Sequence, residues 1–504
     1  MARLRLLSVT ASMLVLHGCM VGPDFAAPPS PAVTGYLPEG APAATTASDV
    51  HAGTAQKFSP GRDLPGEWWR VFRNKQIDAF VQEAIRNHPD IASAQAALRA
   101  ARENVLAEEG ALFPQVSAGG SSTRQQSAPA TSGLPSSTSG YNPYTLYNSQ
   151  VSVSYALDVW GGTRRQVESL QAQADYQQYQ LEATYLSLTA NVVTAAITDA
   201  SLRAQIDATN DIIKSEQEQL TLIQKQFELG AVAQSDVLSQ QSNLAQTQAT
   251  LPPLQKQLAQ QRNQLMAYLG RLPSEDRGEH VTLASLTLPK DLPVSVPSAL
   301  VRQRPDIGAS EASLHKATAN VGVNVANMLP QVSLSGSYAR NSLTAGSLFS
   351  PGNAAWSAAA SVSQTVLDGG TLFHTKEAAI ASQEQAWSNY KSTVLTAFKD
   401  VADALRAIQA DAQTLKAQLA YEQAAQNSVK ISRTQYLAGA VTYPSVLTSE
   451  QNYQQAVIAR VKAQASRYTS TASLFQALGG GWWNRVDQTA QAFPRTDAGY
   501  FSDR

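Results

Sequence analysis

Phe227–Leu238 reads FELGAVAQSDVL, and 209 positions later Tyr436–Leu447 reads YLAGAVTYPSVL. An aromatic, a Gly-Ala-Val turn and a Val-Leu pair fall in the same places, so the chain is read as two copies of one unit. Other pairs keep the same offset: Ser152-Val153-Ser154 with Ser361-Val362-Ser363, and Leu269-Gly270 with Leu478-Gly479. Upstream, Pro89-Asp90-Ile91 matches Pro305-Asp306-Ile307, and Pro114-Gln115-Val116-Ser117 matches Pro330-Gln331-Val332-Ser333, both at an offset of 216. The seven-residue difference therefore lies between Ser121 and Ser152 in the first copy and between Ser337 and Ser361 in the second, in loop-like sequence that tolerates insertion.

Those intervals are flanked by alternating segments. Val151, Val153, Tyr155, Leu157 and Val159 are apolar, with Ser152, Ser154, Ala156 and Asp158 between them, and Trp356, Ala358, Ala360 and Val362 keep the same parity opposite Ser357 and Ser361. Period two over about ten residues marks a strand with one apolar and one polar face. Val116, Ala118 and Gly120, and Val332, Leu334, Gly336 and Tyr338, supply the partners. Each copy thus carries one hairpin, expected over 114–159 and 330–367.

Helices follow. Neither Thr163–Leu229 nor Thr371–Ala438 contains Gly or Pro, although the chain has Gly 29 and Pro 24, which predicts two uninterrupted helices of about 100 Å each. Val167, Ala174, Leu181, Leu188, Ala195 and Leu202 fall seven apart, as do Ile380, Trp387, Val394, Val401 and Ile408, a spacing that keeps a seam against neighbouring helices. Gly230 and Gly439 end these helices as C-cap glycines, and Pro444 suits the first turn of a returning helix.

The expected organisation is a signal peptide over 1–18, a Pro- and Ala-rich strap over 19–66, a first copy over 67–270, a connection over 271–297, a second copy over 298–479 and a tail over 480–504. The first copy reads as a helix from about 74 to 112, the hairpin, a long helix over 163–229 and a helix over 233–269. The second reads as a helix from 298 to 328, the hairpin, a long helix over 371–438 and a helix over 444–478. Four strands cannot close a membrane barrel, whereas three chains would supply twelve. The fold class is mainly α with a membrane β-barrel, a trimeric twelve-stranded barrel continued by a long periplasmic α-helical barrel.

Arg3 and Arg5 precede an apolar run from Leu6 to Leu16, too short to span a bilayer, which reads as a secretory signal. Cys19 is the only cysteine, and Leu16-His17-Gly18-Cys19 resembles the lipobox of bacterial lipoproteins. That resemblance implies a covalent N-terminal lipid on Cys19, and Met20 in place of the Asp typical of inner-membrane lipoproteins implies the outer membrane. Lys+Arg 38 against Asp+Glu 39 leaves no basic field for nucleic acid.

The chain resembles outer-membrane factors of the TolC/NodT type, the outer-membrane lipoproteins of tripartite efflux systems of the resistance-nodulation-division class. The residues that carry this are Cys19-Met20-Val21-Gly22-Pro23-Asp24-Phe25, Trp68-Trp69, Asn87-His88-Pro89-Asp90-Ile91, Trp160-Gly161-Gly162, Arg304-Pro305-Asp306-Ile307, Leu367-Asp368-Gly369-Gly370 and the two Gly-Ala-Val turns. The resemblance implies a homotrimer with an equatorial collar, built here from 271–297 and the residues after Gly479. It implies a periplasmic adaptor docked on the helix ends and, through it, an inner-membrane transporter. Gly230, Ala231, Val232 and Asp236, with Gly439, Ala440, Val441 and Ser445, would form the periplasmic tips. Where relatives ring the closed aperture with acids this sequence has Ser445 and Thr448, which leaves Asp236, Thr448 and Glu450 as aperture candidates.

Catalysis finds no support. His51, His88, His280, His315 and His374 are isolated, there is no paired-Cys or HExxH metal spacing, and no Walker loop, GxGxxG or GxSxG occurs. No metal and no cofactor beyond the lipid is expected, and energy for export would come from the inner-membrane partner. A conduit for type I protein secretion and a coiled-coil surface adhesin are the other readings. Two long helices of equal length and one-sided hairpins are not what an adhesin needs.

Overall fold

In a computed structural model the chain is described over residues 20–40, 43–126 and 143–485. Cys19 with the signal segment, the centre of the first hairpin loop and the tail beyond 485 lie outside the described residues. The chain divides into two compact units, one of Met1–Pro28, Ala97–Gln177 and Ser310–Tyr390, the other of Pro29–Ala96, Gln178–Ala309 and Lys391–Arg504.

In chain order the elements are β1 (Lys57–Pro60), α1 (Lys75–Asn87), α2 (Pro89–Glu109), β2 (Gln115–Gln125), β3 (Tyr144–Leu157), α3 (Gly162–Glu228), α4 (Gln234–Tyr268), β4 (Asp291–Val294), α5 (Pro297–Gln303), α6 (Pro305–Asn327), β5 (Gln331–Ser342), β6 (Ala354–Ser363), α7 (Thr371–Leu437) and α8 (Tyr443–Ala477). The order helix pair, hairpin, 67-residue helix, 35-residue helix thus occurs twice. The helices expected over 74–112 and 298–328 are each two helices. Pro89 and Pro305 lack an N–H and push His88 and Arg304 into extended backbone, so the chain stops and restarts with proline as the first helical residue. Pro252 and Pro253 do not break α4.

Within the first unit, β2, β3, β5 and β6 form one antiparallel sheet in that order. Directly paired residues share a face. Ser117, Ser152, Ser337 and Ser357 make one row across all four strands, with hydroxyl contacts Ser117–Ser152 at 2.8 Å and Ser337–Ser357 at 2.9 Å. The neighbouring row, Ala118, Val151, Tyr338 and Trp356, is on the opposite face, where Val151, Tyr338 and Trp356 are exposed. β2 and β6 each leave one edge unpaired among the described residues. The same unit holds the segment after Cys19. Val21 N–H donates to the Trp160 carbonyl at 3.1 Å, and Arg165, 1% exposed, reaches Asp24 Oδ1 at 2.5 Å and Glu168 Oε2 at 2.7 Å. Phe25 stacks on His315 at 4.3 Å.

In the second unit β1 of the strap pairs in parallel with β4 of the connection. Trp68, Trp69 and Phe72 are buried in the same unit, Trp68 stacking on Phe475 at 5.7 Å. After α8, Trp483 Nε1 and Asn484 Nδ2 donate to the Asp63 carboxylate at 3.0 and 2.7 Å. Strap, connection and the start of the tail therefore pack together. Of the heptad positions read from sequence, Val167, Leu188, Ala195, Leu202, Val394, Val401 and Ile408 are buried, Ala174, Leu181 and Ile380 are half-buried, and Trp387 is exposed. Among the described residues no helix is long and apolar enough to cross a membrane.

Candidate functional site at the paired helical turns

The two turns are built alike. After α3, Gly230 takes φ +74°, its N–H donates to Phe227 O at 2.8 Å and Ala231 N–H to Gln226 O at 2.8 Å. After α7, Gly439 takes φ +73°, donating to Tyr436 O at 2.9 Å, and Ala440 N–H donates to Gln435 O at 2.8 Å. This is the Schellman arrangement, in which a left-handed residue lets the last carbonyls find donors. Ala233 and Thr442 then open α4 and α8 from extended backbone with no side-chain cap.

Gly230, Ala231, Gly439, Ala440, Ser445 and Thr448 are exposed, and Val232, Asp236 and Val441 are half-buried. A Cβ added at Gly230 or Gly439 would meet nothing within 4 Å. Below the turns, Leu220 and Ile223 of α3, Val237 and Leu244 of α4, and Tyr443, Val446 and Leu447 of α8 form one apolar cluster, with Val232 and Tyr436 at its margin. The turns of the two copies therefore sit on shared packing.

Glu450 differs from its expected place. It is 5% exposed, and Arg433 of α7 donates to its Oε1 from Nε at 3.0 Å and Nη2 at 2.8 Å, so its carboxylate is committed inside the helix packing. Burial raises its pKa, which the Arg433 charge partly offsets.

Sequence reading passed over Glu216. This α3 residue is 1% exposed, and its Oε1 accepts from Asn243 Nδ2 at 2.7 Å, Thr247 Oγ1 at 3.0 Å and Gln454 Nε2 at 2.5 Å. Gln240 Nε2 donates to the Glu216 carbonyl at 2.9 Å, Tyr443 donates its hydroxyl to Gln240 Oε1 at 2.8 Å, and Gln451 Nε2 donates to Asn243 Oδ1 at 2.7 Å. The network joins α3, α4 and α8. Its signal in the sequence was a polar stripe, Gln240, Asn243 and Thr247, at helical spacing beside Val237 and Leu244. Burial raises the Glu216 pKa above the usual carboxylate range, its three donors pull it back, and the Glu450 charge pushes it up again.

Comparison with known proteins agrees with this architecture. The family model described as outer membrane efflux protein matches residues 80–271 and 296–480, one stretch for each series of elements. The antibiotic efflux pump outer membrane protein ArpC of Pseudomonas putida is 28% identical over 488 residues, covering 96% of this chain and 97% of its own. The probable outer membrane lipoprotein SilC of Salmonella typhimurium is 26% identical over 492 residues, covering 96% of this chain and 100% of its own. Among solved structures, the outer-membrane channel OprN superposes with a TM-score of 0.81 at 25% identity, covering 92% of this chain and 100% of that one. The Campylobacter jejuni CmeC outer membrane channel gives 0.82 at 21% identity, covering 94% and 98%. Matched along both series of strands and long helices, the chain belongs to the outer membrane efflux protein family.

Proposed function

We propose that this outer-membrane efflux protein works as a homotrimer, a passive exit duct that carries small molecules from a periplasmic adaptor, fed by an inner-membrane transporter of the resistance-nodulation-division class, to the exterior. The observation that carries the reading is the four-stranded sheet with an exposed apolar row on one face, a serine row on the other and an open edge at β2 and β6. Strands of 11, 14, 12 and 10 residues are long enough to cross a bilayer core when tilted. An open edge is not viable in lipid, and three copies close a barrel of twelve strands continued by the paired helices of a periplasmic tube. The repeated sequence would supply two near-equivalent staves per chain.

In this assembly Cys19 carries the lipid, and the contacts of Val21, Asp24 and Phe25 hold the following residues beside the end of β3. Gly230, Ala231, Val232, Asp236, Gly439, Ala440, Val441 and Ser445 form the adaptor-docking tips, a role supported by open space around both glycines. Asp236 and Thr448 are the aperture candidates with accessible side chains, whereas Glu450 acts from within. No cofactor or metal takes part.

The test is accumulation of a chemically varied small-molecule panel, with secreted proteins profiled in parallel, in a deletion strain complemented with the wild type or with Gly230→Glu plus Gly439→Glu. The expected result is small-molecule accumulation in the deletion and double-variant strains with secreted proteins unchanged. Loss of a secreted protein alone would assign the duct to type I secretion instead.

A further inference from the structure

We propose that Glu216 is a proton-binding site that sets how tightly the two helical hairpins hold together beneath their turns: protonated it favours the packed arrangement, ionised it loosens it. Its Oε1 takes donors from both sides of the junction, Asn243 and Thr247 on α4 and Gln454 on α8, while Oε2 is equally enclosed and has no hydrogen-bond partner. Because Oε2 is buried within a single chain, no neighbouring subunit or adaptor can reach it without parting the helices.

No cation pairs with Glu216 among the described residues. The charged group that faces it is Glu450 of α8, which adds charge of the same sign and whose own cation is Arg433 of α7. From α4 only amide and hydroxyl groups meet it, and Tyr443 reaches it through Gln240. A buried carboxylate with no counter-charge is costly in its ionised form and cheap in its neutral one. Raised above its unfolded value by burial, Glu216 favours the packed turns at acid pH, and this contribution is lost as pH rises through the folded value. Glu450, raised for the same reason, acts in the same direction.

The biological weight of this device rests on the docking reading of the turns, but its test reads helix spacing and not transport, so either can fail alone. Spin labels at the exposed Ser235 and Ser445 of the full-length protein, introduced as Ser235→Cys and Ser445→Cys, report the distance between the turns. Titration from about pH 8 to about pH 5 is expected to shift the wild-type distribution to a shorter, narrower one. Glu216→Gln should hold that acid-like distribution throughout, and Glu450→Gln should move the midpoint to lower pH by removing a like charge. A pH-independent wild-type distance, or a full transition in Glu216→Gln, overturns the proposal. Should Glu216→Gln fail to assemble, the same titration of Glu450→Gln decides: a transition that persists with its midpoint at lower pH supports the site, and an unmoved or absent transition overturns it.

Discussion

Glycine positions separate what a sequence states locally from what only the fold reveals. Gly230 and Gly439 are legible from the repeated turn, because a left-handed residue must end each long helix before the chain reverses. With open space around them, a methyl group meets no clash and the cost is conformational. Gly439→Ala should destabilise its turn by about 1 kcal/mol, read as roughly five- to tenfold faster amide exchange at residues 439 and 440, whose N–H groups close the turn, with assembly unchanged. Gly22 could not be understood this way. It combines φ +92° with a backbone approach in which an added Cβ would lie 2.4 Å from Gly322 Cα, a contact between residues 300 positions apart that no local pattern encodes. Gly22→Ala is therefore expected to release the segment before Phe25, seen as faster proteolytic clipping there while the four-stranded sheet stays intact.

At the scale of elements, absence of Gly and Pro together with heptad spacing located α3 and α7 because both signals are carried by many residues at once. The breaks before Pro89 and Pro305 each rest on a single missing N–H, a signal one residue wide beside patterns carried by whole helices. The network beneath the turns was hidden for another reason. Glu216 looks like any polar residue on a Gln-rich helix until Asn243, Thr247 and Gln454, up to 238 positions away, enclose it. The partner carboxylate gives an element-level prediction. Arg433→Gln leaves Glu450, 6% exposed at its side chain, without a counter-charge. The resulting loss of α7–α8 packing, about 1–2 kcal/mol at neutral pH because Arg433 is itself half exposed, should shrink on acidification because a protonated Glu450 no longer needs a cation. Chemical denaturation followed at about pH 8 and about pH 5 checks the sign; a larger loss in acid would exclude it.

For the whole molecule, the decisive question is whether the exposed apolar row of the sheet meets lipid in a closed assembly of three chains. Ala358 and Ser357 sit side by side near the middle of β6 and point to opposite faces, paired with Gly336 and Ser337 of β5. If the Ala358 face is the lipid face, Ala358→Arg places a charge near the bilayer midplane at a cost of about 2–4 kcal/mol per chain. Three chains would incur it together, so the heat-stable oligomer in the outer-membrane fraction should fall sharply. Ser357→Arg, on the face that would line the water-filled interior, should leave the oligomer in place while narrowing the duct, so that tracer conductance in planar bilayers falls without loss of assembly. A soluble sheet packed against protein would not distinguish the pair in this way, since both side chains are exposed in the single chain. Equal loss of oligomer for both variants, or tolerance of Ala358→Arg with failure of Ser357→Arg, would reverse the assignment of faces and with it the twelve-stranded barrel.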